Sequence, residues 1–191
     1  MTKQTSKTQL LKDTHTQRGW LAWITSVLIA AAVLCGCTGR TAEPDGDFAI
    51  YLVKGEVSAQ EMMEMDLELL ELEETPFLSV DDIVAYTWET HAIELTETAR
   101  ERVAELEVPV TTGVPFMVCV GDERIYPGAF WISYSSMSFN GIVIDTLSAT
   151  MDNPSIHIQL GYPESPEFFE GEDLRSDPRI QQSLREAGKL R

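Results

Sequence analysis

Residues 114–126 read VPFMVCVGDERIY. The apolar run 116–120 and the shorter run 124–126 flank a Gly-Asp-Glu segment at 121–123. Two strand-like runs separated by a short glycine-containing segment predict a β-hairpin.

Further strands are predicted on both sides of the hairpin. Continuous apolar runs or alternation of apolar and polar residues predict them at 48–53, 67–72, 91–95, 129–132, 142–144 and 155–160. We expect Pro127 and Gly128 to interrupt the sheet, so that the strand after them begins past a bulge or lies at an edge. The Asp-Asn-Pro sequence at 152–154 predicts a turn before the last strand.

Capping patterns predict short helices. Ser58 and Glu61 have the spacing of a capping box, and Ser79 and Asp82 open a similar pattern that predicts a helix through Tyr86. Two more helices are predicted, from Thr96 to about Leu106 and from Asp177-Pro178 to just before Gly188. Roughly six strands and three or four short helices, without regular alternation, predict an α+β domain with a mostly antiparallel or mixed sheet.

The first 34 residues have the organisation of a secretory signal. Residues 1–19 carry four basic side chains and one acidic one, and residues 20–34 contain only Thr25 and Ser26 as polar residues. The apolar stretch is shorter than the roughly 20 residues that a membrane-spanning helix requires. A basic start followed by a short apolar stretch predicts a signal peptide.

The sequence Leu34-Cys35-Gly36-Cys37 resembles the lipobox of bacterial lipoproteins. This resemblance implies cleavage between Gly36 and Cys37 and a diacylglyceryl thioether on Cys37. Cys35 is the competing acceptor, but the bulky Leu34 precedes it. We therefore expect a signal peptide at 1–36, a lipidated tether at 37–46 and an acidic domain at 47–191. The domain would lie on the extracytoplasmic face of a bacterial membrane, anchored by its lipid.

The charge and the cysteine content of this domain limit the classes of partner that it can bind. Residues 37–191 contain ten basic and thirty acidic residues, a net charge of −20. This balance disfavours binding to nucleic acid and flat docking on anionic lipid. Besides Cys37 the segment has one cysteine, Cys119, inside an apolar run; we expect it to be a small buried hydrophobic residue. No cofactor is predicted.

Acidic residues are concentrated in one part of the chain. Residues 55–99 hold thirteen Asp and Glu residues and no Lys or Arg. The alternatives are a face for divalent cations or for a basic partner, and an ordinary solvated surface. The segment lacks the spacing of a calcium-binding loop, and we favour the solvated surface.

Aromatic residues and histidines supply the candidate ligand or partner surface, which consists of Trp88, His91, Trp131 and Tyr134. Buried core positions are the alternative for the tryptophans, and a half-buried structural histidine is the alternative for His91. The spacing of the two histidines after Cys37 offers no zinc motif, and no metal site is predicted. Three serines at 135, 136 and 138 lack the neighbours of a nucleophile motif.

Two resemblances extend over the domain. The order of elements in residues 48–145, including DDIVAYTWETHAIELTETARERV at 81–103, resembles the extracytoplasmic head of the translocase subunit SecD. That resemblance implies a fold and no activity. The segments PFMVCVGDERIYPGAFW at 115–131 and YSSMSFNGIVI at 134–144 are similar to uncharacterised bacterial lipoproteins, and this similarity implies no function.

The function expected from these features is a non-enzymatic, membrane-tethered domain that contacts another protein of the cell envelope. The alternative is an envelope hydrolase or a lipoprotein that binds a small ligand or glycan. A concave pocket with two carboxylates, or a serine beside His91, would favour the enzyme. A flat, exposed apolar patch would favour the binding protein.

The lipobox yields the first testable prediction. A metabolic fatty-acid probe should label the wild-type chain, because Cys37 is its expected acceptor, and should not label Cys37→Ser. In-gel fluorescence of the two proteins gives the comparison. Equal labelling of both would rule out Cys37 as the acceptor.

Overall fold

A computed structural model of the chain describes residues 46–150 and 155–191. In these ranges the strands are β1 (Phe48–Leu52), β2 (Leu78–Ser79), β3 (Ile83–Thr87), β4 (Ala92–Leu95), β5 (Val114–Val120), β6 (Glu123–Trp131), β7 (Phe139–Asp145) and β8 (Ser155–Tyr162). The α-helices are α1 (Ala59–Met63), α2 (Glu97–Ala104) and α3 (Pro178–Glu186). The predicted turn at 152–154 lies outside the described residues.

The eight strands form one mixed sheet that curls into a half-barrel. Their order across the sheet is β2-β1-β5-β6-β7-β8-β4-β3. β6 and β7 run parallel, and the other neighbouring pairs are antiparallel. The predicted α+β class is confirmed, whereas the expected number of about six strands is too low.

The segment predicted as a helix from Ser79 to Tyr86 is mostly a strand. Asp82 accepts hydrogen bonds from the backbone N–H and the hydroxyl of Ser79, at 2.8 and 3.0 Å, and this box closes a single 3-10 turn, Val80–Asp82. β3 follows immediately and pairs with β4. The prediction was wrong because a capping pattern sets where a turn begins, while sheet pairing determined what followed it.

The strand predicted at 67–72 is absent from the described structure. Leu67–Leu69 form a 3-10 turn, capped by the carboxylate of Asp66, and only Leu72 makes an isolated bridge, to Val53. The guanidinium of Arg124 donates to the carbonyls of Leu67 and Leu70. Arg124 therefore occupies carbonyl groups that a strand would use for pairing.

β6 is not interrupted at Pro127 and Gly128, but a register shift typical of a bulge lies directly before them, where Tyr126 and Arg124 pair with the adjacent residues Val118 and Cys119 of β5. β6 runs through both residues, and its paired residues on β7 begin opposite Gly128. Pro127 therefore lies just before the part of β6 that pairs with both β5 and β7. A Cβ atom on Gly128 would lie 2.3 Å from Cζ of Phe116, so the glycine allows the ring to pack against the backbone.

Predictions based on local signals are confirmed elsewhere. The hairpin joins β5 and β6, and the Ser58–Glu61 capping box opens α1. Thr96 caps α2, and Asp177 caps α3 directly before its first-turn proline. Each of these signals depends on residues a few positions apart, which is why the sequence alone reveals them.

β5 is buried on both of its faces. Phe116, Val118 and Val120 point into the main core, inside the curved sheet. Val103 of α2 and Leu184 of α3 belong to the same core, so two helices cover this face. Ser183 of α3 also accepts the backbone N–H of the first residue of β1, at 2.8 Å.

The outer face of β5 carries Met117 and Cys119. Both pack in a second cluster with Val53, Met62 and Leu70, so the segment after β1 covers this side of the sheet. Cys119 is 3% exposed, which confirms that it is a small buried residue. Burial raises the pKa of its thiol to about 11.

The C-terminal residues continue the sheet beyond α3. The carbonyl of Lys189 accepts the backbone N–H of Tyr86 at 2.7 Å, and Arg191 bonds through its own N–H and carbonyl to Tyr86 and Trp88. Leu190 bridges to Tyr86 in parallel orientation. The end of the chain therefore covers the outer edge of β3.

Among residues 46–150 and 155–191, no helix has the length and apolar character that crossing a membrane requires.

Deleting residues 188–191 should lower the free energy of unfolding by about 2–4 kcal/mol, because three backbone hydrogen bonds to residues 86–88, two to α3 and the packing of Leu190 are lost. Arg191→Ala is the matched control: it keeps the backbone bonds and removes only the exposed pair with Glu94, so it should cost about 0–1 kcal/mol. Urea unfolding measures both. Equal stability of the deletion variant and the full chain would show that the tail is not part of the sheet.

Candidate functional site

Trp88 and His91 lie together at the hairpin between β3 and β4. Their ring centroids are 5.9 Å apart, and both rings contact Tyr86. The Tyr86 hydroxyl and Nδ1 of His91 are hydrogen-bonded at 3.1 Å. His91 is buried and Trp88 is half-buried, so this pair packs around the side chain of Tyr86.

The environment of His91 favours its neutral form. Burial lowers the pKa of the imidazole, and the positive charge of Arg175 lowers it further, whereas Asp173 opposes this shift. The backbone of His91 is left-handed, with φ of 51°. The residue thus combines a restricted backbone with a ring held inside an aromatic cluster.

Trp131 and Tyr134 lie at the end of β6, in a separate group. Trp131 is buried and stacks on Phe139, with centroids 5.3 Å apart. Tyr134 is 64% exposed, in the loop that follows. The hydroxyl of Tyr162 donates to the carbonyl of Ser133 at 2.6 Å and so holds this loop over the sheet. The four candidate residues therefore form two groups.

The loop that follows β6 and contains Ser135 contacts a second loop, which precedes β5. The hydroxyl of Ser135 donates to the carbonyl of Val110. Val110 and Met137 are 40% and 48% exposed. With Tyr134, they present three large apolar side chains to solvent in two loops that touch each other.

A cleft of about 410 Å³ opens next to these loops, between the start of α1 and residues 107–115. We call it the α1 cleft. Its apolar floor includes Val53, Val57 and Val114, and its carboxylates belong to Glu56, Glu61 and Glu107. A concave surface, apolar contact area and several carboxylates coincide in it.

Backbone hydrogen bonds fix both walls of the α1 cleft. The N–H of Ala59 donates to the carbonyl of Thr112 at 3.0 Å, and the N–H of Val53 donates to Pro115 at 3.1 Å. Gly113 has a left-handed φ of 62°, and a Cβ atom there would lie 2.5 Å from the Trp131 ring. Glycine is thus required where the second wall passes over the tryptophan.

The α1 cleft carries negative charge. Glu61 accepts hydrogen bonds from the N–H and the hydroxyl of Ser58, at 2.9 and 2.7 Å, and these bonds hold the pKa of its carboxyl below the usual range. Neither Glu56 nor Glu107 forms an ion pair with another described residue. None of the described residues that line the cleft is Lys or Arg.

The α1 cleft and the N-terminal end of the described domain lie at opposite ends of β5. The carbonyl of Asp47 accepts the N–H of Gly121, in the turn that follows β5, at 3.1 Å. Val114, at the other end of this seven-residue strand, lines the cleft. Strand residues advance about 3.3 Å each, so the two ends are roughly 20 Å apart.

Tyr134 and the acidic run were predicted from the sequence, whereas the α1 cleft was not. Glu107 lies outside the run, and its wall contacts residues about fifty positions earlier in the chain. The available signal was a polar loop bounded by Pro109 and Gly113 between a helix and a strand. Nothing in that pattern indicates which segment the loop faces.

Gly36 and Cys37 lie outside the described residues. Within the described ranges, no group of three or more His, Cys, Asp or Glu side chains is arranged to hold a metal ion, and the carboxylates of the α1 cleft are no exception. Comparison of the chain with protein-family models, curated proteins and solved structures finds no match.

The lowered pKa of His91 predicts a pH dependence of stability. In the unfolded chain this histidine takes up a proton near pH 6.5, whereas the folded state resists protonation, so stability should fall as the pH drops from about 7.5 to 5.5. Asparagine tolerates the left-handed backbone and does not titrate. The His91→Asn variant should therefore lose less stability over the same pH range. Urea midpoints at both pH values test this, and equal losses in the two proteins would contradict it.

Proposed function

We propose that this chain is a lipid-anchored protein of the bacterial cell envelope whose acidic domain binds another envelope protein without catalysing a reaction. The lipobox-like sequence ending at Cys37 supports the anchor and an extracytoplasmic location. The exposed side chains of Val110, Tyr134 and Met137 beside the α1 cleft support the binding function.

The single observation that carries the binding function is this grouping of exposed apolar residues. Isolated exposed hydrophobic residues are normal on protein surfaces, but neighbouring ones beside a cleft are typical of an interaction site. Tyrosine is also common among the residues that dominate binding energy. Tyr134, at 64% exposed, is well suited to become buried by a partner.

The position of the α1 cleft is compatible with a tethered binding protein. The nine tether residues after Cys37, at 38–46, reach at most about 30 Å from the bilayer. If it enters near Gly121, the opposite end of β5 faces away from the lipid. A net charge of −20 also disfavours adsorption of the domain on anionic headgroups.

One observation favours the second candidate, an envelope hydrolase or a glycan-binding lipoprotein. The α1 cleft is concave, holds three carboxylates and lies beside an exposed tyrosine loop. However, a general acid requires a raised pKa, and the bonds from Ser58 lower that of Glu61. Release of soluble fragments from purified cell-wall glycan by the wild type, but not by Glu56→Gln or Glu107→Gln, would favour this candidate.

A photo-crosslinking amino acid at position 134 tests the binding function in cells. It should yield a discrete adduct with one envelope protein, identified by mass spectrometry, because Tyr134 is expected to be covered by the partner. The matched control is the same crosslinker at Asp122, an exposed residue in the turn at the opposite end of β5. The same adduct from both positions, or none from position 134, would contradict the assignment of this surface.

A further inference from the structure

We propose that the α1 cleft binds lysine or arginine side chains from a basic segment of the partner, and that apolar residues of this segment pack on Val110 and Tyr134. The inference rests on the proposed protein-binding function and adds the chemistry of the partner. The partner segment is a stretch of protein in which cationic and apolar side chains alternate.

The floor of the α1 cleft suits the apolar part of a long cationic side chain. Val53, Val57 and Val114 offer aliphatic contact area beneath the carboxylates. Lysine and arginine bury their methylene stems against such surfaces while the charged head group stays in a polar environment. A volume of about 410 Å³ accommodates a complete side chain of this length.

The rim of the cleft suits the charged head group. Glu56 and Glu107 have no cationic partner among the described residues, and Glu61 remains ionised because Ser58 stabilises its carboxylate. Residues 55–99 hold further acids and no base, and none of the described residues that line the cleft is Lys or Arg, so its own potential is negative. Such a field accelerates the approach of a basic segment and discriminates against acidic ones.

Other occupants fit these features less well. The three carboxylates do not converge into a metal-binding group, and an anionic lipid surface would be repelled. A second copy of the chain would bring its own acidic surface. Several of its arginines are already engaged: Arg179 binds Asp177 and Glu123, and Arg191 binds Glu94.

The test uses the full-length chain in non-ionic detergent and a fluorescent twelve-residue peptide of alternating lysine and leucine, with binding followed by anisotropy at physiological salt. Glu56→Gln/Glu107→Gln should weaken binding about tenfold or more, the loss expected when two contacting charges are removed. The matched control, Glu64→Gln/Glu74→Gln, removes the same charge from exposed residues outside the cleft lining and should change affinity less than about threefold.

Tyr134→Ala should also weaken binding, and a peptide with glutamate in place of lysine should not bind. Equal weakening by the two double variants would overturn the proposal, because it would indicate general charge attraction. Equally tight binding of free 1,5-diaminopentane, or dimerisation of the chain that the cleft variant abolishes, would also overturn it. If the peptide fails to bind while the crosslinker at position 134 still captures a protein, the inference fails and the proposed function stands.

Discussion

The outer face of β5 carries Met117 and Cys119, and residues 54–77 exclude both side chains from water through Met62 and Leu70. We call residues 54–77 the cover. Because the inner face of β5 is also buried, the cover completes the shielding of this strand from water. Full burial of a side chain such as methionine contributes about 1.5–3 kcal/mol. The cover places Met62, Leu70 and Leu72 in one cluster with Met117 and Cys119, while its acidic residues are exposed to solvent.

The α1 cleft is a consequence of how this cover is attached. Arg124, on β6, binds the carbonyls of Leu67 and Leu70 and fixes the far part of the segment, while the Ser58–Glu61 box begins α1 at its near part. The loop before β5 meets α1 through the bond between Ala59 and Thr112. The two walls meet over Val53, which directly follows β1, and Val114 of β5, and Glu56 and Glu61 of the cover supply two of the three carboxylates. The charge of the cleft thus follows from the packing that stabilises the sheet.

How much of this could be predicted from sequence depends on the range of each interaction. The caps of α1, α2 and α3 and the β5–β6 hairpin were predicted because their signals lie within a few residues. The helix predicted through Tyr86 failed because pairing with β4 determined the structure after the first turn. The strand predicted at 67–72 failed because Arg124, 57 residues from Leu67, takes up the carbonyl groups. Glu107 lines the cleft because its loop meets α1 through the bond between Ala59 and Thr112, which no local pattern encodes. Trp131 and Tyr134, three residues apart, show the same limit, since one is buried and the other exposed.

Residues 54–77 cover the outer face of β5, and the reactivity of Cys119 tests this most directly. A short pulse of an alkylating reagent, read at Cys119 by peptide mass spectrometry, compares the native chain with the chain in concentrated urea. We predict that native Cys119 reacts far more slowly, because the cover must open before the reagent reaches the thiol. Arg124→Gln should accelerate the native reaction by more than its effect on global stability accounts for. Native labelling as fast as that of the unfolded chain would contradict the account, because the face of β5 beneath the segment would then be open to solvent.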